Sequence, residues 1–209
     1  MDGLSTRVGA VLLVVALVCV SGASSAFAAG DDSDALPCTN RDSSAVFARW
    51  LDPAQYFLAS NGGFEQGSDD WTVGGDAAVV PENESYDVHD AADGSSLRLG
   101  TGGSAETRSA CVGLLEPTVR LFVKAPKVLG ARLRIDATVE NPATGLTLET
   151  QYVVLGGLVP SSWAPTPQIL IPNLVGGVMA QQLTLRVTAE GAKATWGVDD
   201  VYVDPFRQR

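Results

Sequence analysis

The chain is poor in the residues on which catalysis and metal binding most often rest. Among its 209 residues there is one histidine, His89, and there are three cysteines, Cys19, Cys38 and Cys111. A zinc site usually draws on several His or Cys ligands, and an acyl-transfer triad sets a His beside an identifiable nucleophile. Neither pattern is present. Basic side chains are scarce as well: 14 Lys and Arg stand against 24 Asp and Glu, a net charge of −10. That argues against a nucleic-acid binder, which needs clustered cations to meet phosphates. Aromatic residues are 7% of the chain, which does not announce a lectin. Long apolar runs are missing too. Val8 to Val20 ends at Ser21, short of the roughly 20 residues needed to span a bilayer.

What the sequence does hold is a folded composition. Hydrophobic residues are 45% and charged residues 18%, too apolar for a disordered chain. With 22 Gly and 11 Pro, the chain is punctuated by turns in the manner of an all-β protein. The run Val8 to Val20 follows Arg7 and precedes Ala26-Phe27-Ala28, the small-x-small signature of a signal peptide. Cleavage is expected after Ala28, so residues 1–28 are read as a secretory leader and the protein as secreted. Cys19 would leave with the leader; Leu17 and Val18 stand before it where a lipidation signal wants a small residue. Residues 29–37 read as an acidic lead-in carrying Asp31, Asp32 and Asp34. Residues 38–209 read as one domain. In an oxidising exterior the two remaining cysteines are expected to pair as Cys38–Cys111.

Periodicity supplies the elements. Val46, Phe47, Trp50 and Leu51 fall at helical spacing, which predicts one short helix over Ser43–Leu51, closed by Asp52-Pro53. Beyond it the period changes to two. Leu133, Ile135, Ala137 and Val139 alternate with polar residues, as do Leu183, Leu185, Val187 and Ala189. With shorter candidates at 77–80, 95–99, 106–112, 119–124, 147–155, 168–171 and 195–203, about nine strands predict an antiparallel sandwich or barrel. In Val198 to Val203, strict alternation would put Val198, Asp200 and Tyr202 on one face and Asp199, Val201 and Val203 on the other. One aspartate must then point into packed protein, where a carboxylate needs donors or a cation.

Two segments carry more than pattern: Asn61-Gly-Gly-Phe-Glu65-Gln-Gly67 followed by Trp71, and Trp196-Gly-Val-Asp-Asp200-Val-Tyr-Val203. Together they resemble the first and last strands of galactose-binding-like jelly rolls, the fold of many carbohydrate-binding modules. The resemblance covers residues 61–205, and a group of secreted actinobacterial proteins built on this scaffold looks similar. It implies an all-β, antiparallel jelly-roll β-sandwich with the short N-terminal helix added. It also implies a structural Ca²⁺ held by Glu65 and Asp200, with Asp199 as the substitute if the facing is reversed. The metal-free alternative is that these carboxylates accept hydrogen bonds from loop amides or pair with an Arg such as Arg120.

The function that follows from the resemblance is a non-catalytic module for extracellular or cell-wall polysaccharide. A sugar ring needs an exposed aromatic face rimmed by polar groups. Tyr152, beside Gln151 in a predicted strand, and Trp163 are the ligand-binding candidates. Against an enzyme stand the scattered carboxylates, which mark no pair at hydrolase spacing. His89, in an acidic turn with Asp87, Asp90 and Asp93, reads as a surface loop residue. A cell-envelope structural or protein-interaction module without sugar affinity is the alternative, and a glycoside-active hydrolase the remote one. Fold does not decide among them.

Overall fold

The computed structural model describes residues 41–108, 110–113, 118–172 and 180–204. The expected signal peptide, the expected acidic lead-in and Cys38 lie outside the described residues. Cys111 is disulfide-bonded, but its expected pairing with Cys38 falls outside them too.

Thirteen strands run along the described chain: β1 Phe57–Leu58, β2 Trp71–Gly74, β3 Ala77–Val80, β4 Ser96–Gly100, β5 Ser104–Thr107, β6 Ala110–Val112 and β7 Thr118–Lys124. They continue with β8 Ala131–Glu140, β9 Thr147–Leu155, β10 Ala164–Pro165, β11 Ile169–Leu170, β12 Gln181–Gly191 and β13 Thr195–Val203. The first sheet has the order β10-β7-β13-β4-β3, with β1 added on β13 and β11 on β7. The second has the order β2-β5-β12-β8-β9, with β6 added on β12. The strand pairings are antiparallel. The expected all-β sandwich is therefore the observed fold. The expected helix is reduced to one 3₁₀ turn, Ala48–Trp50, closed by Leu51 at φ 62°. Asp52 and Pro53 follow before a second turn can form.

The alternating residues of β8 and β12 supply one wall of the core: Leu133, Ile135, Ala137 and Val139 face Leu183, Leu185, Val187 and Ala189 side by side and are buried. Leu97, Leu99, Val119, Leu121, Trp196 and Val198 from the first sheet form the other wall. The outer face of the first sheet is not bare. Phe47 and Tyr56 from the N-terminal segment pack with Phe122, Trp163 and Tyr202 in a second, aromatic cluster. Phe47 stacks on Phe122 with centroids 5.6 Å apart and meets Tyr56 edge-on at 4.8 Å. Beneath it a buried ion pair ties the segment down: Arg120 Nη1 donates to Asp52 Oδ2 at 2.7 Å, and Tyr56 Oη donates to the same oxygen at 2.7 Å. Arg120, named above as a partner for Glu65 or Asp200, serves Asp52 instead.

Candidate functional site

The motif Asn61 to Trp71 builds a loop rather than a strand. Asn61, at φ 47°, donates from Nδ2 to the carbonyls of Gly67 and Asp69, accepts from the Gln66 amide at Oδ1, and receives the Trp71 indole N–H on its own carbonyl. Phe64 sits in the turn at φ 60°, buried, with its ring 4.9 Å from that of Trp71. Gly62 lies so close to β13 that a Cβ there would stand 2.8 Å from the Val201 carbonyl oxygen. The loop is thereby pressed against the aspartates of the C-terminal motif.

Those aspartates do not alternate. β13 shifts register against β7 between Asp199 and Tyr202, and Asp200 takes φ 46°. A bulge of this kind inserts a residue and re-aims the side chains beyond it. Both Asp199 and Asp200 are consequently buried, while Val198, Val201 and Val203 all reach the core. Asp199 accepts from the amides of Glu84 and Asp200 at 2.9 Å each. Burial and the adjacent Asp200 push its carboxyl up to about 9. Burial and the Glu84 carboxylate push Asp200 up to about 7, with His89 opposing and Asp93 and Glu65 adding to the rise. Asp200 is 2% exposed, and its Oδ1 has no hydrogen-bond partner among the described residues.

Around this orphan oxygen the loop following β3 folds back. Glu84 holds the loop by accepting from the Tyr86 and Val88 amides. Glu65 Oε1 accepts from the amides of Gly94 at 3.0 Å and Ser95 at 2.8 Å. His89 Nδ1 stands 2.6 Å from Asp93 Oδ2, and one ligand atom each from His89, Asp93 and Asp200 lie within 4.8 Å of one another. His89 also lines a cavity of about 630 Å³ shared with Arg41, Arg108, Asp70 and Tyr202.

For the implied Ca²⁺, the fit is partial. Glu65 and Asp200 are brought into one neighbourhood, but Glu65 spends one oxygen on two amides, and the groups that meet Asp200 include an imidazole nitrogen, which is not a ligand of calcium's all-oxygen shell.

Neither aromatic candidate presents a platform. Trp163 is 5% exposed and lies against Gly197, where a Cβ would come within 2.7 Å of the indole. Tyr152 is half-buried with its ring on the core side of β9, opposite Ile135. Its neighbour Gln151 is the residue that reaches outward.

The outer face of the second sheet carries instead a continuous polar row. In register across β2, β5, β12, β8 and β9 stand Thr72, Glu106, Arg186, Asp136 and Gln151. Asp136 accepts from Arg134 Nε and Gln151 Nε2, both at 2.9 Å, and Arg134 Nη1 pairs with Glu190 at 2.6 Å. At the spacing of neighbouring strands the row spans about 19 Å. Single-sequence reasoning missed it because strand order decides which polar residues become neighbours.

No protein-family model and no curated protein matches the chain. Among solved structures it is similar to TmCBM61 in complex with β-1,4-galactotriose, at 20% identity over 71% of this chain and 97% of that one, TM-score 0.42. It is also similar to the family 11 carbohydrate-binding module of the cellulosomal cellulase Lic26A-Cel5E of Clostridium thermocellum, at 15% identity over 73% and 96%, TM-score 0.43. A third is the arabinose-bound α-L-arabinofuranosidase MgGH51, at 17% identity over 71% of this chain but 26% of that one, TM-score 0.48. No described helix is long and apolar enough to cross a membrane.

Proposed function

We propose that the chain is a secreted, non-catalytic module that binds extracellular or cell-wall carbohydrate on the outer face of the sheet β2-β5-β12-β8-β9. The observation that supports this is the in-register row from Thr72 to Gln151. A polysaccharide presents a line of hydroxyls, each both donor and acceptor. Thr72, Glu106, Arg186 and Gln151 offer both functions at fixed spacing, and the buried Asp136 holds Arg134 and Gln151 in place by hydrogen bonds before a ligand arrives. Groups already ordered lose less entropy on binding. Recognition on this reading is by hydrogen bonding across a sheet, with Gln151 and Arg186 in the parts first assigned to Tyr152 and Trp163.

One observation favours the second reading, a protein-interaction module of the cell envelope. Leu129 is 71% and Leu158 69% exposed, and their loops touch, since a Cβ on Gly157 would meet Leu129 at 2.9 Å. A glycan array with pull-downs on insoluble polysaccharides separates the two. Carbohydrate binding is expected, reduced at least tenfold in Gln151→Ala and Arg186→Ala with unfolding unchanged and no reducing sugar released. An absence of binding across the panel favours the second reading, and sugar release would restore the hydrolase.

A further inference from the structure

We infer that His89, Asp93 and Asp200 form a binding site for a borderline divalent cation such as Zn²⁺, in place of a calcium ion held by Glu65 and Asp200. The inference does not depend on the carbohydrate reading. It starts from Asp200, a carboxylate that is 98% withdrawn from solvent by its 2% exposure and that leaves one oxygen without a donor. A buried carboxylate oxygen in that condition is costly. Among the described residues no Lys or Arg forms an ion pair with Asp199 or Asp200. The carboxylates of Glu84, Asp93 and Glu65 add negative charge, opposed by His89. A cluster of that balance favours a further cation.

The ligand atoms specify which kind. One nitrogen and two oxygens converge within 4.8 Å, and mixed imidazole and carboxylate ligation suits zinc-class ions, whereas calcium asks for six to eight oxygens. Two ligands of a tetrahedral ion with bonds of about 2.1 Å stand about 3.4 Å apart. The His89–Asp93 contact of 2.6 Å needs to open by less than an ångström or so to admit one. Glu65 is not required, because its Oε1 holds the amides of Gly94 and Ser95, the residues directly after Asp93. It therefore positions a ligand rather than being one. His89 is half-exposed and lines the 630 Å³ cavity, so the imidazole side of the site is reached from solvent.

The test uses the full chain stripped with chelator, titrated calorimetrically with ZnCl₂ and separately with CaCl₂, with thermal unfolding read in parallel. One Zn²⁺ per chain is expected, with a higher unfolding temperature, and no response to Ca²⁺. His89→Gln, a change at a half-exposed side chain, should weaken Zn²⁺ binding at least tenfold while leaving the metal-free transition where it was; Asp93→Asn should do the same. A Ca²⁺ response lost in Glu65→Gln and intact in His89→Gln overturns the inference in favour of the calcium pair. A Zn²⁺ response untouched by His89→Gln, or no response to either ion, overturns it outright.

Discussion

Two sets of buried carboxylates packed at the first sheet, Asp52 and the pair Asp199 and Asp200, are treated differently. Asp52 meets Arg120, Tyr56 and an amide of Gln168, all from this chain. Burial pushes its carboxyl up, and the hydrogen bonds from Tyr56 and Arg120 more than offset that, leaving it below the ordinary carboxylate range. Asp199 and Asp200, on the neighbouring strand, meet amides and other carboxylates and are pushed up by burial first. The contrast separates a buried charge paired with an Arg of the same chain from two that have no Lys or Arg partner among the described residues. A buried pair with both partners is close to neutral in net energy, whereas one deprived of its partner is strongly destabilising.

Breaking the complete pair should therefore cost most. Arg120→Met leaves Asp52 buried without its cation, and a loss of about 3–5 kcal/mol is expected in denaturant unfolding. A loss below about 1 kcal/mol would mean that the pair is as solvated as a surface one. At the other site the sign reverses. In metal-free buffer Asp200→Asn should raise stability, on the order of 1 kcal/mol, because it removes a charge that repels its neighbours. A drop would show that Asp200 already has an internal counter-charge.

The smallest effect is spectroscopic. Burial and then the hydrogen bond to Asp52 push Tyr56 up to about 12, and burial raises Tyr202 as well. Because the folded value lies above the unfolded one of about 10, the Tyr56 contribution to stability is complete below pH 10 and is lost as pH rises toward 12. Ultraviolet titration of the folded protein, compared with Tyr56→Phe, should show Tyr56 still protonated at pH 11. Ionisation of Tyr56 near 10 would deny the Asp52 cluster its closed structure.

Much of the fold was legible in the sequence because burial on one face of a strand writes a period of two directly into it. The walls of β8 and β12 show this residue by residue. The Asn61 to Trp71 motif was legible too, but as a signature: that Asn61 closes a loop through its side chain and its carbonyl, with Phe64 at positive φ inside it, needs the coordinates. The site was harder for physical reasons. Alternation failed at Asp200 because a bulge changes the facing without changing the hydrophobic pattern. Trp163 read as a platform because nothing near it in sequence says that Gly197, across the sheet, leaves room for an indole. His89 is the exposed loop residue that the sequence suggests; its approach to Asp200 is set only by the fold. The signal that could have found it is the pairing of one histidine with a flanking acidic turn.

The order of the strands also bears on when the molecule can fold. β12 holds β5, β6 and β8 together, and β13 holds β1, β4 and β7. The central strand of each sheet thus follows in the chain the strands that it joins. Until residues 181–203 are available, neither sheet has a middle, and the earlier strands have only edge pairs such as β3 with β4 or β8 with β9 to form. Contacts so distant in sequence form slowly. A nascent chain of this topology cannot complete either sheet until residues 181–203 emerge, which suits a polypeptide proposed to thread a translocation channel before it folds.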